Sequence, residues 1–171
     1  LQAAGIKKPN PLNPAHAWAL KGAIGPYATW MMGQYMAPKP SPSLPPLPPA
    51  LREHAAFAAQ ELQRRPLEIS GVMRKHQLKL ADRQCRMSEL SGRVQSLIVM
   101  LCTSLYAARQ EDEVVQAAAD LLCQDLRREL SGSRPTDRYF RAATSLGEAI
   151  VDGGFKSIEG LAPDEIMMSY D

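Results

Sequence analysis

The sequence predicts an all-α protein, an up-and-down bundle of about four helices preceded by a Pro-rich, partly helical extension. Three observations carry that prediction. From residue 50 onward apolar residues recur at three- and four-residue spacings, the period of a helix face. Strand-like alternation is nowhere convincing. The prolines crowd into one end: 11 of 14 lie in residues 1–50, so the remainder is free to form long helices. A length of 171 residues suffices for one ordinary core and a sizeable extension.

The first helix is expected just after Pro49, with Leu51, Ala55, Ala58, Ala59 and Leu62 on one face. Pro66 should kink or restart it, and Ile69, Val72, Met73 and Leu80 continue the stripe. The second spans about Asp82 to Arg109. Its face of Met87, Leu90, Val94, Leu97, Leu101 and Leu105, widened by Ile98 and Cys102, predicts a central, heavily buried helix. The acidic run through Glu111, Asp112 and Glu113 opens the third helix, where the dipole favours negative charge. Val114, Ala118, Leu121, Leu122, Leu126 and Leu130 form its face, and Ser131-Gly132 ends it. The fourth begins after Pro135 with Thr136 as cap, presents Tyr139, Ala143, Leu146 and Ile150, and stops at Gly153-Gly154. The expected organisation is a Trp- and Met-rich basic segment (1–37), a stiff Pro-rich linker (38–49), the bundle (50–154), and a tail with a short helix (155–171).

Charge is as uneven as proline. The first 50 residues carry four Lys, both Trp and no Asp or Glu, +4 of a total of +2, which leaves −2 for the rest. Three widely spaced Cys make a disulfide framework a poor reading and a reducing, intracellular compartment the better one. They fall on apolar faces and are expected to be small core residues. The longest nearly uncharged apolar run, Val94 to Ala108, is shorter than the roughly 20 residues of a bilayer span.

Catalytic patterns are not found. His16, His54 and His76 have no Cys, Asp or Glu at metal-ligand spacing, and no Gly-rich loop follows a strand. Three non-catalytic features remain. Residues 15–36 hold Trp18, Ile24, Tyr27, Trp30, Met31 and Tyr35, flanked by Lys21 and Lys39 without counter-charge. Trp and Tyr favour the water–lipid boundary, and cations favour anionic headgroups, so Trp18, Lys21, Tyr27, Trp30 and Lys39 are candidate membrane-contact residues of an amphipathic segment. The plainer alternative is packing against a neighbouring domain. Arg74, Lys75, Lys79, Arg83 and Arg86 form a basic run on roughly one helix side, for which a solvated face is the simpler reading. No aromatic residues interleave with it, which argues against nucleic acid. Lys39, Pro42 and Pro45 match a minimal Pro-helix ligand, a pattern that any Pro-rich linker produces.

The order of elements resembles a known family. Leu1-Gln2 and Ile6-Lys7-Lys8-Pro9 precede an apolar stretch and a connector. Next come a long helix ending Arg74-Lys75-His76 and a second with Gln84, Glu89-Leu90, Leu97 and Met100, closing on Ala107-Ala108-Arg109. A third carries Leu121-Leu122-Cys123. This succession is similar to the C-terminal region of the very-long-chain acyl-CoA dehydrogenases, and the similarity covers nearly the whole chain. It implies a parent flavoenzyme that oxidises long acyl-CoA thioesters in fatty-acid β-oxidation, with a Glu base and FAD supplied by a preceding dehydrogenase core. The Glu motif and the flavin contacts fall outside residues 1–171, so the segment itself is not expected to turn over substrate or to bind FAD alone. The resemblance also implies a homodimer and a peripheral membrane location, at the mitochondrial inner membrane in a eukaryote or the cytoplasmic side in a bacterium, through about Lys7 to Lys39. The Pro content of residues 38–49 departs from the family pattern. The rival expectation is a stand-alone helical adaptor without enzymatic activity.

Overall fold

The computed structural model describes residues 14–36, 40–76, 84–153 and 155–156. Among them there are five helices and no strand: α1 (Pro14–Met36), α2 (Pro49–His76), α3 (Gln84–Ala107), α4 (Glu113–Ser131) and α5 (Asp137–Val151). The chain divides into two units, Leu1–Pro40 with α1 and Ser41–Asp171 with the other four helices. The expected all-α bundle is what forms. Lys39 and the expected short C-terminal helix lie outside the described residues.

The helix does not restart at Pro66, one of the two outcomes expected there, and α2 runs on through it to His76. An interior proline removes one backbone donor and strains the preceding turn, at about 3 kcal/mol. Side chains bridge that point. Arg65 pairs with Glu61 one turn before the proline and with Glu68 just after it, and Glu68 also receives Arg93 of α3 at 3.6 Å. Packing along α3 supplies the remaining restraint, because α2 and α3 share the most extensive helix–helix contact.

α2, α3 and α4 form the core, and α5 lies on α4. Leu51, His54, Ala55 and Ala58 make the buried stripe of α2 at i, i+3, i+4, i+7 spacing. Where the three helices meet, Ala58 (α2), Leu97 and Met100 (α3) and Cys123 (α4) are fully buried. Phe57, Leu62, Leu101, Leu126 and Leu130 close around them. A second cluster joins Leu51, Ala107 and Ala119.

The buried seam of α3 is Leu90, Leu97, Met100, Ser104 and Ala107, rotated from the expected one. Ile98 and Cys102, expected to widen the buried face, are exposed, Ile98 by 47%. Ser104 takes a place in that seam. Its hydroxyl donates to the Met100 carbonyl within the same helix at 2.8 Å, so a nominally polar residue enters the core with its donor satisfied.

The later boundaries follow local chemistry. The Asp112 carboxylate accepts from the Val114 amide at 2.8 Å and caps α4. Gly132, at φ +68°, ends it, and its amide donates to the Arg128 carbonyl. The Thr136 hydroxyl oxygen accepts from the Tyr139 amide and caps α5. No residue of α5 is buried, so its expected face of Tyr139, Ala143, Leu146 and Ile150 is only partly covered.

Candidate functional site

α1 is about 34 Å long at 1.5 Å per residue. It contains no Asp or Glu, and Lys21 is its only Lys or Arg; that side chain is outside the described set. Trp18 is 74% exposed, and Tyr27, Trp30, Met32, Tyr35 and Met36 are exposed with it. The Tyr27 and Trp30 rings stack, with centroids 5.7 Å apart. These residues do not share a stripe. At 3.6 residues per turn Trp18 and Trp30 stand about 120° apart around the axis, and Trp18 and Tyr27 about 180°. The apolar residues of α1 are not gathered on one side of the helix, as an amphipathic segment would have them. Gly22, Gly25, Pro26 and Gly33 contribute no polar side chain that would make one side hydrophilic. No helix among the described residues is long and apolar enough to cross a membrane.

The basic run does not form one helix side. Arg74 and Lys75 close α2, where cations complement the dipole, whereas Arg86 opens α3 and pairs with Glu89 at 2.5 Å. Lys79 and Arg83 lie outside the described residues.

A polar pocket of about 660 Å³ opens beside the start of α2, the second half of α4 and the α4–α5 loop. At its floor His54 is 5% exposed, and its Nε2 meets Asp120 Oδ1 at 2.9 Å. An ionised carboxylate only accepts, so Nε2 carries the shared proton. Gln124 donates to the second Asp120 oxygen at 2.7 Å. These hydrogen bonds, that from His54 foremost, hold the Asp120 carboxyl below its ordinary range against the opposing effect of burial. Nδ1 of His54 is buried without a hydrogen-bond partner among the described residues.

At the rim Arg127 donates to Glu53 at 2.6 Å and lies over the Phe57 ring at 4.6 Å. Its hydrogen bond and charge lower the Glu53 carboxyl. Arg128 donates to Asp125 at 2.6 Å and lies over the Tyr139 ring at 4.9 Å. No spacing in the sequence announces this assembly. His54 and Asp120 are 66 residues apart and meet only because α2 packs on α4.

Among the described residues no three His, Cys, Asp or Glu side chains gather as a metal site. Of the cysteines, only Cys123 takes the expected core position. Burial pushes its thiol up, and its sulfur lies 3.5 Å from the Ser104 hydroxyl and 3.7 Å from the Met100 carbonyl. A thiol reagent should therefore modify Cys85 and Cys102 in the folded protein and Cys123 only after denaturant is added. Mass mapping of the labelled residues checks this; rapid native labelling of Cys123 would contradict the packing at the three-helix junction.

The molecule is thus a helical bundle domain with a separate, apolar, aromatic-rich helix. No protein-family model, curated protein or solved structure matches the chain.

Proposed function

We propose that this chain is a docking and assembly domain of a flavin-dependent long-chain acyl-CoA dehydrogenase and that α1 carries its peripheral contact with a membrane surface. The observation behind the membrane contact is a helix with Trp18, Trp30, Met32, Tyr35 and Met36 in solvent and no acidic residue. So many large apolar and aromatic side chains exposed on one helix mark an interaction site. Trp and Tyr suit the headgroup boundary, where a ring is half wet and half in hydrocarbon.

The choice of parent enzyme rests on the order of elements, from the helix ending at His76 to Leu121-Leu122-Cys123. The partners in this reading are the dehydrogenase core of the same protein and a second copy of it. Ile98, Val99 and Tyr106 give α3 an exposed apolar face that suits such a contact. The same face favours a second reading, a stand-alone adaptor. The coding sequence ahead of Leu1 distinguishes them, because only the first reading requires a dehydrogenase domain there. The pocket at the start of α2 does not suit the flavin of the parent enzyme, which in this reading is held by the dehydrogenase core. A flavin ring requires a largely apolar slot, whereas this pocket is walled by His54, Glu53, Asp120 and arginines. No step on the flavin is assigned to these residues.

Flotation of the intact protein with anionic vesicles tests the membrane contact. The combined change Trp18→Ser and Trp30→Ser should weaken binding by at least tenfold, since each buried indole contributes on the order of 1.5–3 kcal/mol. Unchanged flotation of the double variant would remove α1 as the contact.

A further inference from the structure

The pocket at the start of α2 has a charge arrangement that its internal pairs do not use up. Glu53 is taken by Arg127, Asp125 holds Arg128 from outside the pocket, and both Asp120 oxygens are occupied by His54 and Gln124. Arg134 and Arg138 also line it, and neither makes an ion pair or a hydrogen bond among the described residues. Arg138 stands near enough to Glu53 and Asp120 to lower both carboxyls through space.

We propose that this pocket binds a phosphate monoester dianion, with Arg134 and Arg138 as its principal ligands. Four arginines line the pocket against two carboxylates, Glu53 and Asp120, and that excess of positive charge suits the two charges of a phosphate monoester above its second ionisation. Guanidinium forks suit phosphate oxygens, and Arg127 and Arg128 are held in fixed planes by the Phe57 and Tyr139 rings, so the wall of the pocket is built before a ligand arrives. Ser133 and Thr136 add hydroxyls at the start of α5, where the helix dipole adds positive potential beside the acidic Asp137. Of the two carboxylates in the lining, Glu53 is paired with Arg127, and Asp120 accepts from His54 and Gln124 within reach of the Arg138 charge. The site lies wholly within the bundle and does not depend on what α1 contacts.

The test is calorimetric titration of inorganic phosphate and of glycerol 3-phosphate into the full 171-residue chain, near pH 7.5 at low salt, with chloride of matched ionic strength as reference. Saturable binding is expected, and it should loosen at least about tenfold in Arg134→Gln and in Arg138→Gln. Both side chains are exposed, so thermal melting without ligand should match the parent and separates loss of binding from loss of fold. Phosphatidate vesicles added to the Trp18→Ser, Trp30→Ser variant identify the source. Arginine-dependent vesicle binding assigns a lipid headgroup, and arginine-dependent binding of the soluble ester alone assigns a soluble metabolite; either supports the site. Phosphate heats equal to those of chloride, or arginine variants that bind like the parent, would overturn it.

Discussion

Replacing Leu97 with Ala is expected to lower the unfolding free energy by about 2–5 kcal/mol, one of the largest single-residue effects in the bundle. Leu97 is wholly buried where α2, α3 and α4 meet, against Ala58, Met100 and Cys123. Its neighbours are poorly placed to collapse into the space left behind. Ala58 has no bulk to lend, and Met100 and Cys123 are themselves fully buried. The matching control is one residue along. Ile98 is 47% exposed, and Ile98→Ala should stay within about 0.5–1 kcal/mol. Urea midpoints at unchanged slope read both effects, and equal losses at 97 and 98 would contradict the rotation assigned to α3.

The second large effect is at the His54–Asp120 contact. His54→Ala should cost about 1–3 kcal/mol, because it opens space under the pocket and strips the Asp120 carboxylate of its principal donor. Asp120→Asn retains the shape and isolates the charge. The folded-state carboxyl lies below its ordinary value, so its stabilising contribution is fully present above the unfolded value of about 3.9. That contribution declines as the pH falls from there through the lower folded value. The stability gap between the parent and Asp120→Asn should therefore be wide near pH 7 and narrow near pH 3, measured as urea midpoints. A gap of equal width at both pH values would mean that the contact stabilises the fold through shape and not through an ionised carboxylate.

Particular residues explain which parts of this fold were legible in the sequence. Asp112, Gly132 and Thr136 act through bonds within a few residues of themselves, so the limits of α4 and the start of α5 could be read directly. The α3 seam was misread because a search for apolar residues passes over Ser104, whose hydroxyl is satisfied by its own helix. The continuity of α2 across Pro66 was invisible for a similar reason, since Glu68 joins Arg65 to Arg93 of another helix. His54 sits inside an alanine stripe, and its partner lies beyond an entire helix, so neither spacing nor local composition announces the pair. In α1 composition identified the aromatic residues, but their distribution around the axis emerged only with the helix itself. The pocket arginines were obscured because Arg74 to Arg86 stood out as the conspicuous basic run, whereas packing gathers Arg127, Arg128, Arg134 and Arg138 at the pocket.

The proposed membrane contact has a built-in reporter. The chain has two tryptophans, Trp18 and Trp30, both on α1, so its tryptophan emission arises from that helix alone. On addition of anionic vesicles that emission should shift to the blue, and lipids brominated near the headgroup should quench it. Emission that is unchanged by vesicles and insensitive to brominated lipid would contradict the assignment of α1 to a membrane surface.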